Sequence, residues 1–495
     1  MSAIAPERRT WISPDVLAMI ALTLVALGLR IPALTQSLTL DEPHTYVMAT
    51  GSLGDVFSEL RAGYEIHPPL FFVLAWAAAQ VGDPTVWVRV PSFLLGTAVV
   101  PLTYLLGLRT VGRLAAGIGA AIVAVSPFAV RYSTDARPYA TLMFFAVLSS
   151  LLLLWAARSE RRLAWILYVP AACALVYTHY FGAFVLIAQA VWALWACRDR
   201  LRAPLIAYAA VAVGFLPWLP SFLDQPHSTS DYAAVVPLKL RWLADESLGL
   251  FPGSGFYPWR EIPGRSLTFV LIGALALAVV AAALHLNART GEWRRPSDGV
   301  LLLAALALIT PLGLLVFSVG GDNVWLSRYL GPALPALALL IGWMLASLPR
   351  PAALGAAALA VAVLTAGTVE GFGDDYRRAG YKDAAGFIED RATPRDVVVE
   401  FFLSAQAADK KFKYVSPIDL NFDDEHRTVV ASLESAQGVF RNPPAGGRVF
   451  VAGIEAGFFR LPRPLPEDRL RVVEQRVFAG DSPVAVYVYE PQSGL

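Results

Sequence analysis

Charge is what this sequence has least of. Only 16% of its residues are Asp, Glu, Lys or Arg, and 56% are hydrophobic, whereas soluble domains carry roughly 25% charge. That shortage excludes an ordinary soluble enzyme for most of the chain. Neither sign dominates: the net charge is +1, so no overall field favours a nucleic acid partner. Cysteine is nearly absent. The two present, Cys173 and Cys197, fall in apolar blocks and read as small buried hydrophobes, not as a disulfide framework. No His, Cys and Asp cluster has metal-ligand spacing. The first ten residues are polar and basic, and an apolar block without a small-residue cleavage site follows; this reads as a retained first helix, not a signal peptide.

What is present is hydrocarbon in blocks. Mean hydropathy is +0.54, concentrated in stretches of about 17–22 residues, the length that crosses about 30 Å of bilayer. Spans are expected to begin near Asp15, Arg89, Gly112, Pro138, Leu163, Tyr180, Ala203, Ser266, Val300, Leu330 and Pro351. The fold class that follows is an all-α polytopic membrane domain of about eleven transmembrane helices, with a C-terminal soluble α/β domain. A further apolar stretch, residues 68–81, is too short to span comfortably. Loop arginines decide its placement. If it does not cross, then Arg8, Arg9, Arg109, Arg113, Arg158, Arg161, Arg162, Arg198, Arg200, Arg202, Arg289, Arg294, Arg295 and Arg350 all fall on one side, which the positive-inside rule makes cytoplasmic. If it crosses, the rule fails at nearly every later loop. Residues 68–81 are therefore expected to lie along the outer interface, with a second short interfacial helix over 53–61.

The resulting organisation is a transmembrane domain over 1–370, with a long outer first loop over 35–87, and an extracytoplasmic domain over 371–495. The C-terminal part is rich in Val and Phe in short runs. A helix is expected over 383–391 and strands over 396–402, 428–433, 448–454, 470–478 and 483–490, separated by turn signals. It has no phosphate-cradling glycine loop and no nucleophile elbow.

Charge beside hydrocarbon is expensive, so polar residues predicted at the outer membrane surface are the functional candidates. Asp41 and Glu42 follow an apolar run; they read either as a solvated rim or as a general base with an acceptor-binding or loop-holding neighbour. Adjacent residues do not share a face, so proton removal falls to Asp41 and the second role to Glu42. Asp135, in the polar turn 131–139, is the reserve base. His67 opens the interfacial helix, where an imidazolium would add to the pull of a helix N-terminus on anions. Arg137 and Arg328 carry the planar fork that suits phosphate, the alternative for arginines at helix ends, Arg89 included, being snorkelling. Tyr139, His179 and Tyr329 sit in outward turns; His44, His227, Asp231, Asp245 and Glu246 are weaker candidates. No metal is required by spacing; a divalent cation between Asp41 and Asp135 is compatible with the chemistry.

The ordered fragments Ser37-Leu38-Thr39-Leu40-Asp41-Glu42, His67-Pro68-Pro69-Leu70, Val88-Arg89-Val90-Pro91-Ser92, Ser126-Pro127-Phe128, Tyr132-Ser133-Thr134-Asp135-Ala136-Arg137-Pro138-Tyr139-Ala140, Thr178-His179-Tyr180 and Ser327-Arg328-Tyr329-Leu330 resemble the bacterial relatives of the protein O-mannosyltransferases and of the lipid A aminoarabinose transferase. The resemblance runs over roughly residues 15–350. It implies a C-type glycosyltransferase fold, a polyprenyl-phosphate-linked sugar as donor, an acidic pair at Asp41 and Glu42, and interfacial helices in the first outer loop. Asp135 stands where relatives often carry Glu, and His67 where the lipid A transferase has lysine. The implied activity is transfer of a hexosyl or pentosyl unit to a glycan, lipid or protein hydroxyl outside a bacterial cytoplasmic (inner) membrane. A lipid-phosphate leaving group needs no strong general acid, and a single displacement inverts the anomeric centre. A transporter of lipid-linked sugars would instead place ionisable groups near the midplane in repeated halves, and a non-catalytic scaffold has no need for acids and arginines gathered at one surface.

Overall fold

The computed structural model describes residues 13–39, 41–63, 65–159, 161–225, 238–250, 297–321, 323–374, 377–401, 417–422, 428–431, 438–454, 470–481 and 483–492. The helices, in chain order, are α1 Pro14–Arg30, α2 Glu42–Thr50, α3 Leu53–Arg61, α4 Leu70–Ala79, α5 Pro84–Trp87, α6 Val90–Thr110, α7 Arg113–Val125, α8 Pro127–Ser133, α9 Tyr139–Arg158, α10 Arg162–Thr178, α11 Gly182–Ala196, α12 Arg202–Phe215, α13 Leu219–Asp224, α14 Leu240–Leu248, α15 Asp298–Gly320, α16 Ser327–Leu330, α17 Leu334–Ala346, α18 Arg350–Glu370 and α19 Tyr381–Glu389. Apolar helices begin close to every expected span start except Ser266, which lies outside the described residues. By length and composition, six of the described helical stretches can cross a membrane, and a bent pair can make a seventh. Helices α10, α11 and α12 are apolar but only 14–17 residues long, so helix length does not reproduce the expected count of about eleven.

The bent pair is α7 and α8, which meet at 58°. Sequence reading expects one uninterrupted span here. The cause of the break is local: Pro127 has no N–H to continue the ladder, and Ser126 Oγ instead caps α8 by accepting from Ala129 N at 3.3 Å. Two carbonyls near the break find donors elsewhere. Arg30 Nη1 reaches Ala124 O at 3.0 Å, and Thr368 Oγ1 reaches Val125 O at 2.7 Å. The break is thereby stitched to α1 and α18.

Close packing in the bundle depends on small residues, as is usual where lipid offers no hydrophobic contrast. A Cβ on Gly342 of α17 would stand 2.4 Å from Ala115 O of α7, and one on Gly119 would stand 3.0 Å from Ala338 O. The backbones therefore meet where a larger side chain has no room.

The bundle has two chemically different ends. At one, Asp15 in the first turn of α1 accepts from Tyr104 Oη at 2.8 Å and pairs with Arg113 at 2.8 Å, near the α6–α7 turn, where Arg158 donates to Arg109 O. At the other lie Arg89 before α6, Arg137 before α9, His179 after α10 and Arg328 on α16. Roofing this second end, α2, α3 and α4 close over Met48, Val56, Leu60, Phe71, Phe72 and Ala75, with Trp218. Helix α3 matches the expected 53–61 helix and starts on a capping box between Ser52 and Asp55. Helix α4 falls inside the ambiguous stretch. Its ten residues make about 15 Å, half the hydrocarbon thickness, and its Phe71 and Phe72 are buried against neighbouring helices.

Beyond α18 the chain forms a five-stranded sheet of β1 Val397–Phe401, β2 Thr428–Ala431, β3 Val449–Ile454, β4 Leu470–Phe478 and β5 Val484–Pro491, at the positions that the Val-rich runs predict. The order is β2-β1-β3-β5-β4. Strand β1 runs parallel to β2 and β3, and β5 runs antiparallel to β3 and β4. Helix α19 covers one face through Tyr381, Ala384, Ala385 and Ile388. Phe440 packs on the other. All six residues of β3 are buried, as expected for a strand covered on both faces.

The described geometry puts the α4–α5 turn and the C-terminal sheet at the same end of the bundle, opposite Arg200. In a background lacking Cys173 and Cys197, cysteines replacing Val81 and Gln492, both exposed, should react with an impermeant thiol reagent from the same side, and Arg200→Cys from the other. Labelling of Val81→Cys and Gln492→Cys from opposite sides would contradict this arrangement.

Candidate functional site

Two interlocked charge networks occupy the roofed end. The first centres on Glu42, at the start of α2 and 1% exposed. Arg89 grips it with a two-pronged fork, Nε to Oε1 at 2.7 Å and Nη2 to Oε2 at 2.7 Å. The remaining donors of Arg89 hold the carbonyls of Leu34, Gln36 and Ser37 at 2.5–2.9 Å. Arg378 approaches Glu42 from another direction, Nη1 lying 2.9 and 2.8 Å from the two oxygens. Thr39 N and Ala136 N donate to the same carboxylate at 3.0 and 2.9 Å. Burial alone would raise the Glu42 carboxyl, but Arg378, Arg89 and the Ala136 N–H overcome it and hold the group well below the usual carboxylate range. Snorkelling therefore does not describe Arg89, which is fully buried: its charge is taken up by Glu42 and three carbonyls, not by interfacial water.

Asp135 shares Arg378 with Glu42, at 3.8 Å. Its carboxyl is displaced the other way, upward, by burial and then by the nearby negative charge of Glu42. Of the two acids sharing one arginine, Asp135 is the one that holds a proton more readily.

The second network centres on Glu65. Arg137 Nη1 and Nη2 meet its two oxygens at 2.6 and 3.0 Å, and His67 Nδ1 contacts Glu65 Oε1. Burial raises the Glu65 carboxyl, yet Arg137 and His67 bring it well below its ordinary value. From His67 an aromatic wall continues. His67 meets His179 edge-on at 4.8 Å between ring centroids. His179 meets Tyr329 at 5.3 Å and Tyr139 at 6.1 Å, and the two tyrosines lie 6.0 Å apart. Arg328 stands 5.3 and 5.8 Å from the Tyr329 and Tyr139 centroids, and its Nη1 reaches Asp41 Oδ2 at 3.3 Å. Asp41, Arg328, Tyr139, Tyr329, His179, His67 and Arg137 thus form one continuous cluster, with Glu42 and Asp135 in the network beside it.

Arg137 Nε and His179 Nε2 are buried donors of this cluster without a hydrogen-bond partner among the described residues. His179 Nδ1 accepts from Phe181 N at 3.1 Å, so the ring proton resides on Nε2. Among the described residues that Nε2–H is buried and without a hydrogen-bond partner, as is Arg137 Nε. Burial, reinforced by the charges of His67, Arg137 and Arg328, holds the His179 imidazole well below its ordinary range, so it is a neutral donor. By contrast, the Asp41 side chain is 48% exposed, open to water and to an incoming group.

Among the weaker candidates, Glu246 of α14 accepts from Ser327 N at 2.6 Å and so fixes the start of the helix that carries Arg328. His44 lies half-buried on α2. His227 and Asp231 lie outside the described residues. No group of three or more His, Cys, Asp or Glu among the described residues has the geometry to hold a metal ion. Sequence reading missed Glu65 and Arg378. The signal for Glu65 was an acid two positions before His67, in the same motif. For Arg378 there was none, because its partners are 336 and 244 positions away.

Residues 66–223 match the family described as dolichyl-phosphate-mannose-protein mannosyltransferase. Among solved structures, the chain is similar to ArnT from Cupriavidus metallidurans bound to undecaprenyl phosphate, with a TM-score of 0.52 at 13% identity, over 97% of this chain and 98% of that one. It is also similar to the Archaeoglobus fulgidus oligosaccharyltransferase in complex with Zn and sulfate, with a TM-score of 0.50 at 13% identity, over 88% of this chain and 68% of that one. No curated protein sequence matches. The resemblance carried by the motifs holds: this is a membrane protein with the C-type glycosyltransferase fold and a C-terminal sheet region.

Glu42 is the charge on which the first network closes. Removing one partner of a buried ion pair costs about 3–5 kcal/mol. Glu42→Ala should therefore lower thermal stability in detergent markedly, while Asp41→Asn, changing a half-exposed group, should leave it near wild type. Equal melting temperatures for Glu42→Ala and wild type would contradict the assignment.

Proposed function

We propose that this chain is an inverting membrane glycosyltransferase that moves a sugar from a polyprenyl-phosphate carrier to a hydroxyl acceptor on the extracytoplasmic face of a bacterial cytoplasmic membrane. The observation that carries the reading is the pair of buried N–H donors without a partner among the described residues, Arg137 Nε and His179 Nε2, in a cluster that also holds Arg328 and a half-exposed carboxylate. Orphaned buried donors are costly, and here both belong to a wall of cationic and aromatic groups. The phosphodiester of the lipid-linked sugar, and the lipid phosphate monoester left after transfer, supply acceptor oxygens for them. The tyrosines and histidines offer ring faces and edges on which a sugar can rest.

In this reading Asp41 accepts the proton of the acceptor hydroxyl as its oxygen bonds to the anomeric carbon. The bond from that carbon to the phosphate oxygen breaks on the opposite face, which inverts the centre. The polyprenyl phosphate leaves with the electron pair, and its charge is met by Arg137 and His179 Nε2–H, held donors in a desolvated site, and by Arg328. Arg328 Nη1 lies 3.3 Å from Asp41 Oδ2; transfer of that guanidinium to the phosphate would release Asp41 to act as base. Glu42 holds the loop, since its oxygens already accept from two guanidinium groups and two backbone amides. Asp135 is the second candidate for the base. The sites at Asp41, His67, Arg137, Tyr139, His179, Arg328 and Tyr329 make no demand for a divalent cation. The sugar is a hexose or pentose unit, and the acceptor a glycan, lipid or protein hydroxyl. The one-sided loop arginines support a cytoplasmic N-terminus and an extracytoplasmic C-terminal region.

Two outcomes test this. Asp41→Asn should bind donor and turn over about 10²-fold more slowly or worse, the scale of a lost acid–base group; near-normal turnover with an inactive Asp135→Asn would move the base to Asp135. His179→Phe keeps a ring in the aromatic wall but removes the Nε2 donor, and Arg328→Ala removes a cation. Each should weaken polyprenyl-phosphate binding by about 10- to 150-fold, the equivalent of one charge-assisted hydrogen bond. Unchanged binding in both would take the phosphate elsewhere.

A further inference from the structure

The groups that organise the two acidic loops do not all belong to those loops. Arg378 lies between α18 and α19, at the entry to the C-terminal sheet, and is 5% exposed. Its guanidinium meets both oxygens of Glu42, donates through Nη2 to Thr134 O at 2.6 Å, and stands 3.8 Å from Asp135. One side chain therefore joins the loop that carries Asp41 to the loop that carries Asp135. The surrounding backbone is tied down on the same side. Arg378 N donates to Gln36 Oε1 at 3.3 Å, and Lys382 N to Ser37 Oγ at 2.9 Å. On the sheet side, Asp481 N donates to Arg377 O at 2.7 Å, while the Asp481 carboxylate pairs with Arg131 of α8 at 2.6 Å. Two glycines let these segments touch. A Cβ on Gly480 would lie 2.8 Å from Ala379 Cα, and one on Gly380 would lie 2.9 Å from Ala479 O.

We propose that Arg378 is a positioning residue for the transfer reaction, and that the sheet-bearing C-terminal region completes the acidic site by docking this arginine between the two loops. The proposal rests on the reading of the roofed end as the transfer site. The division of labour between the two arginines carries it. Arg89 alone gives Glu42 a bidentate counter-charge and holds residues 34–37, so neutralising Glu42 does not require a second guanidinium. What Arg378 adds is the link to Thr134 and Asp135, which Arg89 does not touch. Losing it leaves Glu42 paired and removes the guanidinium tie to Thr134 and Asp135, so that near Glu42 only the Ala136 N–H still joins the first loop to the second; the first loop shifts more easily against the second, and Asp41 moves with Glu42, its neighbour in the chain. A displacement of about 1 Å at a reacting group can cost about 10²-fold in rate.

The test uses full-length protein carrying Arg378→Ala, Arg378→Lys or Gly480→Ser. In Arg378→Ala, hydrogen exchange should quicken at Thr39 and Ala136, whose amides donate to Glu42, and stay slow in β3 and β5. Turnover should fall about 10²-fold with the donor KM little changed, and Arg378→Lys should recover part of it by restoring the charge. Gly480→Ser alters no charge but pushes the two segments apart, and it should lower kcat in the same manner. If Arg378→Ala fails to fold, Gly480→Ser decides. Wild-type kcat, or unchanged exchange at Thr39 and Ala136, overturns the proposal. Should the wild-type protein transfer no sugar from any polyprenyl phosphate, the functional reading fails, and the exchange result still decides whether Arg378 positions the loops.

Discussion

The carboxylate of Glu42 accepts from two guanidinium groups and two backbone amides, and the parts of the molecule that meet at this end meet through it. Arg89 brings the start of α6 and the carbonyls after α1. Ala136 N brings the turn before α9. Arg378 brings the C-terminal region. An unpaired carboxylate so deeply buried would be strongly destabilising, and the desolvation of three charges is offset only when each finds its partner at close range. The network is therefore a constraint on assembly: α1, α6, α9 and the sheet region must all be in place before it closes.

In a chain with so little charge, the concentration of arginine–carboxylate pairs at one end calls for a reason beyond stability, because such pairs seldom improve on apolar packing. Their geometry supplies one. Arg89–Glu42, Arg137–Glu65 and Arg131–Asp481 meet at 2.6–2.7 Å with both partners largely desolvated. Arg328–Asp41 is longer, at 3.3 Å, and its carboxylate is nearly half exposed. Three tight pairs brace the loops, and the fourth is looser and more open to water. Neighbouring donors on Arg137 and His179, without a hydrogen-bond partner among the described residues, belong to the same cluster, and the tight pairs hold them in place.

Much of this was legible in the sequence. Apolar blocks gave the helices, and Val-rich runs gave every strand of the sheet, because local hydrophobic pattern decides both. Helix α3 falls on the expected 53–61 helix, and α4 was legible in the short length of the 68–81 stretch. The break at Ser126–Pro127 was passed over as part of a span, since hydropathy does not register a missing N–H. The cluster around Asp41, His67, Arg137, His179 and Arg328 was assembled from motifs in order along the chain. Its wiring was not. Arg89 seemed free to snorkel because its partner lies 47 residues away, and Glu65 sat unremarked beside His67. Arg378 lay in a segment whose composition suggested only the start of a soluble domain. Ion pairs across hundreds of residues leave no periodicity for sequence reading to find.

The most direct measurement of the central claim is an experimental structure of the protein with polyprenyl phosphate bound. The account predicts a phosphate with oxygens about 3 Å from Arg137 Nε and His179 Nε2, Arg328 turned from Asp41 toward it, and the Glu42 network unchanged. A phosphate bound at the opposite end of the bundle, beside Asp15 and Arg113, or bound at the roofed end without contacting either orphaned donor, would contradict it.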